Sequence, residues 1–163
     1  MIQRIQSLFL ILAAMVGIAV FFFPLFNLSV DGYSYNIFMT GVKNVYADVP
    51  PSFKINMIFH LSILIALILI SIGTLFFYKK RILQMRLCKF GIIVNIIFVF
   101  LIYMFADKIK DKFITELLFK PEQVSIRFKT GSILPLIMIV LFLLASRYTS
   151  KDEKLVKSAD RLR

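Results

Sequence analysis

Acidic residues are scarce in this chain, and none lies inside a long apolar run: Asp31, Asp48, Asp107, Asp111, Glu116, Glu122, Asp152, Glu153 and Asp160 all fall between or after such runs. Proton- and cation-coupled carriers place an ionisable group at membrane depth and bear its desolvation cost, so small multidrug carriers are disfavoured. Cysteine and histidine occur once each, as Cys88 and His60. A lone cysteine excludes an internal disulfide and a Cys-x-x-Cys redox pair, while a lone histidine excludes a bis-histidine haem site and supplies no zinc ligand set. Glycine numbers only six and tryptophan is absent. No glycine-rich phosphate loop and no Ser-His-Asp set is visible. No cofactor or metal is expected, and the chain does not read as an enzyme.

What fills the chain is apolar. Of its 163 residues 60% are hydrophobic, and the mean hydropathy is +0.86, against an apolar content of about 45–50% in soluble domains. Four runs stand out, expected as membrane spans over residues 8–26, 55–78, 90–106 and 131–146. A helix needs roughly 20 residues to cross the bilayer, so the fourth run, at 16, is marginal. The first is too long for the h-region of a secretory signal and closes on Phe21-Phe22-Phe23-Pro24-Leu25-Phe26 instead of a small-residue cleavage site. One domain over 1–163 is expected, with outer loops at 27–54 and 107–130 and a cytoplasmic tail at 147–163.

The formal charge of +11 would suggest nucleic acid in a soluble protein; in a membrane protein Lys and Arg first report orientation and contact with anionic headgroups, and that reading is preferred. With both ends inside, twelve of the twenty Lys and Arg fall on the inner side, including Arg4, Lys79-Lys80-Arg81, Arg86, Lys89 and the tail. Eight fall outside. This bias predicts an inner-membrane protein with cytoplasmic termini.

In the first outer loop, alternating residues flank Asp31-Gly32, the strongest short hairpin signal. In the second, Phe113, Ile114, Leu117 and Leu118 have helical spacing, predicting that the third span leads into a short amphipathic helix. Val124, Ile126 and Phe128 then alternate with polar neighbours as a strand would, able to join the hairpin in a small sheet. Asn27-Leu28-Ser29 matches a glycosylation sequon but abuts the membrane and is discarded. The expected fold is therefore an all-α membrane protein: a four-helix transmembrane bundle with a small extracytoplasmic β-hairpin and strand cap.

Within the spans, polar side chains are few. His60 reads as an imidazole hydrogen-bonded between helices or snorkelling to the interface, and Asn95 as interhelical glue. Ala13 and Gly17 form a small-xxx-small pair, and Ser71 and Thr74 add hydroxyls.

In the tail, Ser150-Lys151-Asp152-Glu153 has the form of a capping box, predicting that a short cytoplasmic amphipathic helix starts there. Leu155, Ala159 and Leu162 fall on one stripe of it, with Lys154, Lys157 and Arg161 beside them. A free helix this short is marginal in water and needs a surface to lie on. Arg4, Arg147, Lys154, Lys157, Arg161 and Arg163, with Leu155, Ala159 and Leu162 as apolar anchor, are the candidate contacts to the anionic inner leaflet or to a membrane or cytoplasmic protein partner. The expected function is a structural or accessory subunit of an inner-membrane complex. The alternative is a small-solute channel or carrier, formed by the bundle or its oligomer, whose polar seam would draw on Asn95, Ser62, Ser71, Thr74 and His60.

The opening Met1-Ile2-Gln3-Arg4-Ile5-Gln6 and the closing stretch from Lys151-Asp152-Glu153-Lys154 to Arg161-Leu162-Arg163 resemble the two ends of an uncharacterised family of small four-span inner-membrane proteins of the Bacteroidota, catalogued as a domain of unknown function. The resemblance implies location and topology but no activity. Lys157 stands where that family commonly has Arg, which keeps the charge and loses the guanidinium fork. Both end motifs face one compartment on the topology above, so Gln3, Arg4 and Gln6 are placed to meet the tail or share its partner.

Overall fold

The computed structural model describes residues 3–30, 33–45, 55–78, 80–116 and 124–161. In chain order they form α1 (Gln3–Ala19), β1 (Phe26–Val30), β2 (Tyr33–Phe38), β3 (Gly41–Asn44), α2 (Ile58–Phe76), α3 (Arg81–Glu116), β4 (Val124–Phe128) and α4 (Thr130–Arg161). The helices pack in a closed ring in which α1 touches α2 and α4, and α3 touches the same two. Leu10, Ala13, Leu64, Leu67, Phe98, Met138 and Phe142 fill the centre. Apolar side chains also cover the outside of the ring: Leu8, Leu69, Ile93, Phe100 and Val140 are exposed, and Phe76 is 76% exposed. Helices apolar on every side need a non-aqueous solvent. By length and composition Ile58–Phe76, Arg81–Asp111 and Thr130–Val156 can each cross a membrane, whereas the apolar part of α1, Ile5–Ala19, is shorter.

Small residues and a few hydrogen bonds hold the ring together, as expected where lipid removes the hydrophobic drive between helices. A Cβ on Gly17 would lie 2.8 Å from Ile68 and 3.2 Å from Met138. Ser71 donates to the Leu10 carbonyl at 2.7 Å, and Asn95 Nδ2 to the Pro135 carbonyl at 3.1 Å. His60 Nε2 lies 3.4 Å from the Leu101 carbonyl, with its ring 4.5 Å from that of Phe105.

At one end of the bundle the chain folds into a four-stranded antiparallel sheet, ordered β3-β2-β1-β4. Val30 pairs with Tyr33 across the expected hairpin, whose Asp31 and Gly32 lie outside the described residues. Val124–Phe128 pairs along β1, so both loops contribute to one sheet. A second hairpin, unannounced by turn residues, joins Phe38 to Gly41. Gly41 has φ 145°, a conformation that residues with a Cβ rarely adopt. Phe26, Leu28, Val30, Ile37 and Val124 are buried on the face turned to the helices, where Tyr103 of α3 packs on Phe128 at 4.6 Å.

Three expectations are corrected. Residues 8–26 do not form one helix: α1 ends at Ala19, Phe21 N and Phe22 N bond back to Ile18 and Ala19 in tightened turns, and Phe26 already belongs to β1. Pro24 has no amide to continue a helix, and apolarity alone does not separate a buried strand from a span. No separate amphipathic helix follows the third run, because α3 is continuous from Arg81 through residues 90–106 to Glu116. Leu117 and Leu118 lie outside the described residues. Likewise the Ser150 capping box starts nothing. Residues 131–146 run on into the tail as one 32-residue helix, with no Gly or Pro between Arg147 and Ser150 to stop it and the Thr149 hydroxyl turned back on Ala145 at 2.8 Å.

Candidate functional site

The end of the bundle opposite the sheet gathers the start of α1, the corner between α2 and α3, and the last turns of α4. Gln6, buried on α1, donates through Nε2 to the Tyr148 carbonyl at 3.3 Å. One turn further, Phe9 stacks on the Tyr148 ring at 5.4 Å. The two ends of the chain therefore meet, through Gln6 among the residues considered for it.

Across the same end, Arg81 at the start of α3 reaches Asp152 of α4, with Nε 3.3 Å from Oδ2. The side chains are 23% and 12% exposed. The pair is close enough for strong attraction but outside hydrogen-bond geometry, so Oδ2 has no hydrogen-bond partner. Beside it, Gln84 is buried with Oε1 likewise unpartnered. Tyr78, Lys80, Arg81 and Arg86 on one side and Glu153 and Val156 on the other line a groove of about 670 Å³. Lys80 and Arg86 are exposed within it. A shallower groove of about 310 Å³ lies between Leu144, Arg147, Tyr148 and Lys151.

Of the residues expected to dock, Arg147, Lys154 and Leu155 are exposed on α4, Leu155 at 48%. Arg4 lies in the first turns of α1, and Lys157, Ala159 and Arg161 in the last of α4, as helical backbone whose side chains are outside the description. Leu162 and Arg163 are outside it altogether. The stripe of Leu155, Ala159 and Leu162 is thus placed only at Leu155. The groove adds Lys80, Arg81, Arg86 and Asp152, which sequence reasoning had used for orientation or capping alone. Nothing periodic links Arg81 to Asp152, so only the fold reveals that pairing.

Chemically the corner can hold a negative charge against a partly apolar wall. Among the described residues, no three of His, Cys, Asp and Glu gather as a metal site requires. The polar groups inside the bundle are turned to helix backbones: Ser71 to Leu10, Thr74 to Ile70 at 2.6 Å, Asn95 to Pro135 and His60 towards Leu101. Ser62 is exposed on the outside of α2 and bonds Phe59. These groups do not form a continuous polar seam.

No curated protein matches the chain. A family model described as a domain of unknown function (DUF4293) matches residues 2–162, and the chain belongs to that family.

Proposed function

We propose that the chain is a non-enzymatic, four-span inner-membrane protein, an accessory subunit whose basic cytoplasmic corner docks a protein complex at the anionic leaflet. The observation that carries this reading is the groove lined by Lys80, Arg81 and Arg86 and closed by the tail of α4. It sets Lys80, Arg81 and Arg86, from the corner between α2 and α3, against the tail of α4, at the end where α1 begins and α4 ends. Two further features support four crossings. Gln6 meets Tyr148 at one end of α1 while Pro24 meets Gly131 at the other, so α1 runs alongside its partners through the apolar belt. The start of α1 and the end of α4 lie at one end of the bundle, which supports an even number of crossings. The 32 residues of α4 span about 48 Å against a hydrocarbon core of about 30 Å, so its last turns stand clear of the bilayer. Docking is preferred to solute conduction because the polar groups a conduit would use serve helix–helix contacts.

The test is purification from native membranes in mild detergent, comparing the full chain with one ending at Glu153, which keeps the Arg81–Asp152 pair. Specific companions lost on truncation are the expected result. An unchanged set of companions would sink the proposal.

A further inference from the structure

The far end of the molecule carries a second polar site. Register pairs Asn27 with both Asn36 and Arg127, Asn36 with Lys43, and Ser29 with both Ser34 and Ser125. Since side chains alternate along a strand, these residues share one face of the sheet, opposite the buried face of Phe26, Leu28, Val30, Ile37 and Val124. Four neighbouring strands therefore present a largely polar surface that the core does not need.

Its centre is built, not merely solvated. Asn27 is only 8% exposed. Its Nδ2 donates to Ser34 Oγ at 2.8 Å and to Asn36 Oδ1 at 2.9 Å, and its Oδ1 accepts from Ser29 Oγ and Ser34 Oγ, each at 3.1 Å. Asn27 is saturated and held in place, while the Ser29 and Ser34 hydroxyl oxygens that donate to it keep lone pairs to accept with. The rim is not saturated: the Asn36 amide nitrogen, the Arg127 guanidinium and the Lys129 ammonium bond to no other described residue. Lys43 is engaged over the Phe38 ring, 5.2 Å from its centroid. Floor and rim enclose a cleft of about 390 Å³, flanked by Tyr33 at the hairpin tip.

We propose that this cleft binds an acidic saccharide, with its carboxylate against Arg127 and Lys129 and its hydroxyls on Asn36 and the Ser29–Ser34 floor. Among the described lining residues two cations stand without an acid, and a guanidinium fork matches a carboxylate. Neutral hydroxyls match the amide and hydroxyl groups between them. Val45 is the one aliphatic residue among those lining residues, which disfavours a lipid tail. A peptide could not bind by strand addition here, because β1 and β2 beneath the cleft are each paired on both sides. On the orientation proposed above, Arg127 and Lys129 also stand where positive charge is ordinarily sparse, and an anionic ligand accounts for them.

The experiment titrates the full chain in detergent micelles with methyl glucuronide, followed by saturation-transfer NMR. Methyl glucoside and a tetraglutamate peptide are the comparison probes, and inorganic phosphate, which has no carbon-bound protons to observe, is read by its displacement of the glucuronide signal. The expected result is saturable glucuronide binding, about tenfold tighter than glucoside and weakened about tenfold or more in Arg127→Gln. Asn36→Ala is expected to weaken it less, and Lys89→Gln, on α3 in the other half of the molecule, not at all. Arg127 is exposed on its strand, so its replacement leaves the fold intact, checked by an unchanged melting profile. Absence of glucuronide binding, or equal binding by Arg127→Gln, overturns the proposal. Phosphate or tetraglutamate binding as tightly as glucuronide overturns the saccharide assignment.

Discussion

Arg81 and Asp152, 71 positions apart in sequence, sit with Nε and Oδ2 3.3 Å from one another and fasten the last turns of α4 to the corner between α2 and α3. Removing one partner leaves a poorly solvated charge. We predict that Asp152→Ala costs roughly 1–3 kcal/mol, between the limits for exposed and buried pairs. A double-mutant cycle with Arg81→Ala, read from unfolding in detergent, should return a coupling of about 0.5–3 kcal/mol. Strict additivity would show that the contact contributes nothing.

The sheet and the bundle join at Gly131. Its amide donates to the Pro24 carbonyl at 2.9 Å, and a Cβ there would lie 2.6 Å from that same oxygen and 2.7 Å from the Phe23 carbonyl. Both obstacles are backbone and cannot swing aside. Gly131→Ala should destabilise by roughly 1–3 kcal/mol. Gly73→Ala is the counterpart, since nothing lies within 4 Å of its Cβ position; it should stabilise the helix by about 0.5–1 kcal/mol. Thermal unfolding of the two variants side by side checks both signs.

Two side chains tie neighbouring helices through backbone carbonyls. Asn95→Leu removes the bond from α3 to Pro135 of α4, and Ser71→Ala the bond from α2 to Leu10 of α1. Each should cost about 0.6 kcal/mol and at most about 1.7, the mean and maximum of values measured for such bonds within membranes. Asn95 should fall at the lower end, because its Oδ1 is buried without a partner and leucine relieves that. A larger loss at Asn95 than at Ser71, measured by denaturant unfolding in micelles, would contradict this ordering.

Orientation can be read with thiols. Cys88 is fully buried, so the native thiol should stay silent toward a membrane-impermeant maleimide. Lys43 on β3 and Lys154 on α4 are both exposed. In intact cells stripped of their outer layers, Lys43→Cys should label at once and Lys154→Cys only after permeabilisation. The reverse pattern would invert the topology, and labelling of both from outside would exclude it.

Much of this architecture is legible in the residues, for identifiable reasons. Strand period around Asp31-Gly32 and at Val124, Ile126 and Phe128 foretells the two elements that pair in register, because one face of each must be buried. Asn95 as interhelical glue follows from the cost of an unbonded amide in lipid. Other features leave no local mark. Leu25 and Phe26 are as apolar as any span residue, so the first run conceals where helix gives way to sheet. Ser150 and Glu153 have the spacing of a capping box, yet that spacing signals a start only after non-helical chain, and α4 is already running. The turn at Met39-Thr40 uses neither of the usual turn dipeptides. The Arg81–Asp152 pair and the Asn27 cluster arise from packing between segments far apart in sequence, on which periodicity is silent.

The pairing of β1 with β4 also constrains how the molecule is made. Phe26 and its strand emerge early from the ribosome, but the strand they bond to, ending at Phe128, is synthesised only after α2 and α3. Throughout that interval one edge of β1 offers its amides and carbonyls to any extended chain nearby. Closure of the cap thus waits on β4, which is made after α2 and α3 and directly before α4. A chain halted before β4 would leave the membrane with a sticky edge, so quality control of this protein has one clear moment at which to act.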